Sequence, residues 1–134
     1  MSYVMAAELQ AALYGLLSAD AGVSALAEVH DALPPGDEPE LYALIGPEQV
    51  RDRSDQTGTG AEHELTISIL ARQPGFGGAK ALAAAICDAI GGTPPALARG
   101  RIVYLTFHKA RAARVETDDR RRIDLIFRAR LEDD

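Results

Sequence analysis

Apolar residues recur every three to four positions through VMAAELQAALYGLLS, where Met5, Leu9, Ala12, Leu13, Leu16 and Leu17 fall on one side of a helix. The same spacing returns in AKALAAAICDAI. Leu82, Ile86 and Ile90 form its stripe, and the alanines beside them allow close packing. Elsewhere the period drops to two. ELTISILAR puts Leu65, Ile67, Ile69 and Ala71 on one face of a strand and Thr66 and Ser68 on the other. RRRIDLIFRARLE alternates throughout, with Ile123, Leu125, Phe127, Ala129 and Leu131 inward and Arg122, Asp124, Arg128 and Arg130 outward. RIVYLTFHKARAARV differs, because its first half is apolar on both faces: Val103, Leu105 and Phe107 on one, Ile102 and Tyr104 on the other. That pattern predicts a central strand covered on both sides. With TDD as the turn, the last two strands form a long antiparallel hairpin.

Between these elements the breakers are clear. Asp20 is placed to cap a turn or short helix in AGVSALAEV. ALPPGDEPE interrupts any regular structure, and LYALIG follows as a strand that Pro47 makes bend or run at an edge. QPGFGG turns the chain into the second long helix. Gly91-Gly92, then Pro94-Pro95, end that helix as a left-handed cap followed by proline would. In VRDRSDQTGTGAEHE, residues 52–60 are charged, then small and polar, and read as a long flexible loop between two strands. The expected fold is an α+β two-layer sandwich in a single domain, residues 1–134. About four strands make a mostly antiparallel sheet, with two long helices on one face. The other face would show Leu70, Ile102, Tyr104 and Ile126. Either the 33–40 segment covers them or they mark an interface.

Composition narrows the setting. With 134 residues, 47% of them apolar, the chain folds without help from disulfides or metal. No apolar run approaches the ~20 residues of a membrane span. The first residues carry Glu8 and no basic cluster, so no signal peptide is expected, and the lone Cys87 fits a reducing cytoplasm. The net charge of -6 is uneven: residues 1–60 hold ten acids and two bases, residues 61–134 ten acids and twelve bases. One reading is an ordinary solvated surface; the other is head-to-tail contact between unlike patches of neighbouring copies.

The chain offers little that resembles chemistry. His30, His63 and His108 stand apart with no ligand spacing, and His63, between Glu62 and Glu64, reads as an ordinary surface histidine. Cys87 reads as a packed structural residue. GFGGAK lacks the third glycine of GxGxxG and the GK[ST] of a phosphate loop, and no parallel crossover is legible around it. It reads as a plain helix start, with no cofactor. Arg111, Arg114, Arg120, Arg121, Arg122, Arg128 and Arg130 could form a basic hairpin for nucleic acid, and a small ligand-binding or enzymatic α+β domain is a further alternative. At the hairpin turn, Arg120, Arg121 and Arg122 are expected to face solvent.

The order of pieces resembles the tail terminator, or tail completion, family of long-tailed phages and gene transfer agents. The stretches that carry the resemblance span nearly the whole chain: LQAALYGLLSADAGVSAL, VHDALPPGDEPELYALIG, QVRDRSDQTGTGAEHELTISILAR, GGAKALAAAICDAI and IVYLTFHKARAARVETDDRRRIDLIFRARLE. Most specific are the proline-broken first strand, TGxGxEHxLTI and the AKA helix. The resemblance implies a non-enzymatic structural protein, assembled in the cytoplasm and then part of the particle. It implies a six-membered ring seated on the tail tube protein. The ring would end tube growth and meet a head-tail connector or stopper protein, with DNA passing through as non-specific cargo. No membrane is involved. On that reading Arg51, Asp52, Arg53 and Asp55 fix register with neighbours by charge. Gln56, Thr57, Gly58 and Thr59 belong to a loop that orders on contact, and Arg120, Arg121 and Arg122 meet an acidic partner surface.

Overall fold

The computed structural model describes residues 3–33, 36–53, 60–115 and 119–133. Among these residues three helices and five strands follow in the order α1 (Ala6–Ala19), α2 (Ala21–Ser24), β1 (Glu28–His30), β2 (Leu41–Asp52), β3 (Gly60–Ala71), α3 (Gly77–Ile90), β4 (Arg101–Val115) and β5 (Arg120–Glu132). They form one sheet in the order β1-β2-β3-β5-β4. The α+β class is as expected, but the sheet has five strands rather than about four, and it is mixed: β1 pairs parallel with β2, and every other pair is antiparallel. β3 and β4 both run against β5, so α3 links two strands of the same direction with β5 between them. The crossover that the sequence did not show is therefore present in split form.

The alternation of β3 and β5 sets the core. Leu65, Ile67, Ile69 and Ala71 lie opposite Phe127, Leu125, Ile123 and Arg121, and all the apolar members of this set are buried. Leu9, Leu13 and Leu17 of α1 and Leu82, Ile86 and Ile90 of α3 join the same apolar cluster. Burying each such side chain contributes about 1.5–3 kcal/mol, so the two stripes hold the helices to the sheet.

The boundaries have local causes. The Asp20 carboxylate accepts from the Val23 N–H at 3.0 Å, which caps α2 as its sequence requires. α2 ends after one turn, and AEV goes into β1 instead of extending the helix. β2 shifts register between Ile45 and Glu48, around Pro47. β1 has already ended opposite Leu44, so the missing proline N–H leaves no gap in a ladder on that side. α3 does stop at Gly91, but with φ -71°, a right-handed cap rather than a left-handed one.

β4 departs most from expectation. It is an edge strand, not a central one, and most of it is exposed. Two bulges re-aim its side chains, between Ile102 and Tyr104 and between Phe107 and Lys109. Ile102 thereby lies opposite Leu131 on the helix side, whereas Tyr104 lies opposite Arg130 on the other face. On that other face Tyr42 and Leu70 are buried, and Glu38 of the 36–40 segment accepts a hydrogen bond from the Tyr42 hydroxyl. The covering alternative thus holds at this end of the sheet. Pro34 and Pro35 lie outside the described residues.

Candidate assembly interface

The face of the sheet away from the helices is built by alternation. The residues that point outward are Gln49 and Arg51 on β2, Glu62, Glu64, Thr66 and Ser68 on β3, and Arg122, Asp124, Arg128 and Arg130 on β5. Register places these side by side: Ser68 opposite Asp124, Glu64 opposite Arg128, Glu62 opposite Arg130. The Ser68 hydroxyl donates to Asp124 at 2.7 Å, and Arg122 Nε donates to the same carboxylate oxygen at 2.9 Å. Arg128 Nε lies 3.6 Å from Glu64 and 3.9 Å from Glu62, and Arg130 Nε lies 3.6 Å from Glu132. Cross-strand pairs of this kind each add a few tenths of a kcal/mol and orient their neighbours. These arginines are matched by carboxylates, so they do not form the open basic stripe that a phosphate backbone needs.

At one end of this face a partly buried knot replaces the expected solvated turn. Arg120 Nη1 donates to Glu38 at 2.8 Å, and Arg72 Nη2 donates to the other oxygen of that carboxylate at 2.9 Å. The Tyr42 hydroxyl first, then Arg120 and Arg72, hold the Glu38 carboxyl below its ordinary range, although burial opposes them. Burial and the Glu38 charge push the Tyr42 hydroxyl up to about 12. Arg121 donates to the Gln73 carbonyl at 2.8 Å, and its guanidinium lies 5.7 Å from the centre of the Phe76 ring. Of the three arginines expected to face solvent, only Arg122 is exposed. The reason is geometric: β5 starts beside the end of β3, and the 36–40 segment and the β3–α3 turn close over its first two residues.

Arg51, Asp52 and Arg53 lie at the opposite end. Arg51 and Asp52 belong to β2, opposite Glu62 and Ala61, so the hairpin is longer than its sequence shows and Asp52 is strand rather than loop. The Arg53 N–H donates to the Gly60 carbonyl at 2.7 Å, and the Arg53 carbonyl accepts from Arg130 at 3.2 Å. The Arg130 guanidinium lies so close to Gly60 that a Cβ there would come within 2.7 Å of it. Asp55, Gln56, Thr57, Gly58 and Thr59 lie outside the described residues. The two charged groups are about ten residues apart along β3, roughly 33 Å at strand rise, so the sheet separates them rather than bringing them together.

Two features escaped the sequence. His63 is fully buried, not a surface residue, and neither ring nitrogen has a hydrogen-bond partner. It belongs to the row of Ala61, Leu65 and Ile67, and extending that alternation back by one step would have found it. Nδ1 lies 3.8 Å from Glu48, whose carboxylate accepts from the Tyr3 hydroxyl. Burial lowers the readiness of His63 to take a proton, more than the Glu48 charge restores it. The second feature is a cleft of about 580 Å³ beside β1, bordered by Tyr14, Leu26, His30 and Leu41. Ser18, Ser24 and Glu28 also line it, but among the described residues no three His, Cys, Asp or Glu side chains gather as a metal site would need. No helix among the described residues is long and apolar enough to cross a membrane.

Fold and surface together define a class: a small α+β sandwich whose ordered charges sit on a broad sheet face and whose longest strand lies at an open edge, the form of an assembly component. The chain belongs to the family described as Tail completion protein gp17, which it matches over residues 11–132. It is also similar to a solved chain from the virion of a native gene transfer agent particle. The two are 52% identical and superpose with a TM-score of 0.91, over 98% of this chain and 99% of that one. No curated protein matches it.

Proposed function

We propose that this protein is a structural, non-enzymatic component of a phage-like particle, a ring of six copies that closes the tail tube and joins it to the head. Membership of the tail completion family carries the reading. The near-complete likeness to a chain of a gene transfer agent virion supports a place in such a particle. The ring ends tube growth because it occupies the last tube surface without offering another for the tube protein. DNA passes through its centre as non-specific cargo, since no sequence-reading element is needed for transit. Assembly takes place in the cytoplasm before the ring enters the particle.

The charged groups at opposite ends of the sheet suit this role. A ring between a tail and a head has two faces with different partners, and here Arg51, Asp52 and Arg53 lie about 26–33 Å from Arg122 along the strand direction. In this proposal the first group, continued by Asp55, Gln56, Thr57, Gly58 and Thr59, meets one neighbour and fixes register through charge. Arg120, Arg121 and Arg122 border the surface that meets the other. The test is to mix purified protein with assembled tail tubes and image their ends. Decoration of one end, with no further growth when free tube protein is added, is the expected result. Bare ends that continue to elongate would overturn the proposal.

A further inference from the structure

We propose that the β4 edge of one copy docks antiparallel on the β1 side of the sheet in the next copy, so that chains join head to tail. This inference deepens the ring reading above by naming its contact surface.

Four observations converge on it. First, β4 has the composition of a covered strand in an uncovered place. It is 15 residues long, one of its backbone edges meets no strand among the described residues, and Val103 is 42% and Phe107 52% exposed. A long edge strand with exposed apolar side chains is a pairing template unless something covers it, and the bulges and charges of β4 then restrict which partner fits. Second, the other edge of the sheet also meets no further strand among the described residues. β1 covers only Tyr42, Ala43 and Leu44 of β2, and Leu26 and Leu33 beside it are exposed. Third, the charges are opposite. Lys109 and Arg111 of β4 are exposed and hold no ion pair among the described residues, whereas Glu28, Asp31 and Glu40 are exposed on the β1 side. Fourth, the directions fit. From β2 through β3 and β5 to β4 every step is antiparallel, and β1 is parallel to β2, so β4 runs opposite to β1. A copy repeated sideways therefore brings β4 beside β1 in the better-bonded, antiparallel sense.

The registers within the sheet also fix the alignment. Glu28 is level with Tyr42, Leu70, Arg122 and Ala113 across the five strands. In an unstaggered repeat, Glu28 of one copy thus faces Ala113 of the next, and Asp31 falls between Lys109 and Arg111. Above β1 the edge of β2 is open, and Val103, Tyr104 and Phe107 of the neighbour lie at that height. Because the two edges differ, the contact is heterologous. It closes a ring if the rotation per copy allows and extends as a filament if not.

Two charge-reversed proteins test the surface: Lys109→Glu with Arg111→Glu, and Glu28→Lys with Asp31→Lys. All four positions are exposed, so both proteins should fold. Each alone should self-associate at least tenfold more weakly than the parent by sedimentation, and an equimolar mixture should recover association, because unlike edges then alternate. A second measurement uses a Cys87→Ser background carrying Glu28→Cys and Ala113→Cys, oxidised both in concentrated solution and in assembled particles. Cross-linked oligomers that climb in single-chain steps are expected. Unchanged association in both reversed proteins, a mixture that fails to recover, or the absence of any cross-link in solution and particles overturns this contact. If tube ends still carry rings under those outcomes, only the contact surface falls; if the ends are bare, the ring reading falls as well.

Discussion

Arg120 reaches back across 82 positions of chain to donate a 2.8 Å hydrogen bond to Glu38, tying the first residue of β5 to the segment that leads into β2. Arg120 is therefore a structural residue in the isolated chain, whatever it meets in an assembly. Removing it leaves the Glu38 carboxylate short of a partner in a partly buried site. Arg120→Ala should cost about 2 kcal/mol of unfolding free energy. Arg122→Ala breaks an exposed pair and should cost less than about 1 kcal/mol. Urea denaturation of both variants compares them directly, and equal losses would count against the knot around Glu38.

His63 gives the chain a pH dependence of known sign. Its proton affinity is lowered in the fold from the ordinary value of 6.5, so the unfolded chain binds the proton more readily. Stability is full above 6.5 and falls as pH drops below it, until the folded group also titrates. Glu38, whose carboxyl is also depressed, adds a loss in the same direction at lower pH, below the ordinary carboxyl value of 4.5. His63→Leu removes two unsatisfied ring nitrogens from the core. It should be neutral or stabilising at pH 7 and should flatten the loss between pH 7 and 5. Melting curves across that range are the check; a variant as pH-sensitive as the parent would assign the effect elsewhere.

The sequence pattern hides the burial of His63 and the edge position of β4 but displays the buried rows of β3 and β5, and the difference is physical. β3 and β5 are covered on one face by helices, and one-sided burial writes a period of two into the chain. Leu65, Ile67 and Ile69 and their partners Phe127, Leu125 and Ile123 are legible for that reason. His63 continues the buried row, but its charged neighbours Glu62 and Glu64 point to the other face and hide it. β4 carries apolar residues on both faces although no strand lies beyond it among the described residues, and its bulges break the simple alternation. Composition reports coverage, and the covering partner need not belong to the same chain. β1 is three residues long, too short for any period to show. The knot of Glu38 and Tyr42 with Arg72 and Arg120 joins three distant segments, and nothing local in any of them announces it.

Gly100 holds φ +69° where the chain enters β4, and a side chain there would strike the Glu132 carbonyl oxygen and the Met5 thioether. Gly100→Ala should lose at least about 2 kcal/mol, since backbone strain and steric overlap add. Gly15→Ala is the matched control. Gly15 sits in α1 with nothing within 4 Å of the added methyl, and the change should gain about 0.5–1 kcal/mol. The two chemically identical substitutions should therefore move the thermal midpoint in opposite directions.

Replacement of residues 54–59 by a short Gly-Ser turn separates folding from assembly. The segment SDQTGT has no apolar side chain to bury, and loop closure changes slowly with length, so the melting midpoint should move little. Tube capping by the purified protein should fall sharply if these residues order against a neighbour. Normal capping would make the segment a connector only.

The most direct measurement is made in cells that lack this protein but express every other component of the particle. Tails should grow to irregular lengths and remain separate from filled heads in electron micrographs. Expression of the intact chain should restore uniform tails joined to heads. Tails of normal length, attached to heads in the absence of the protein, would contradict its assignment as the ring that ends the tube and joins it to the head.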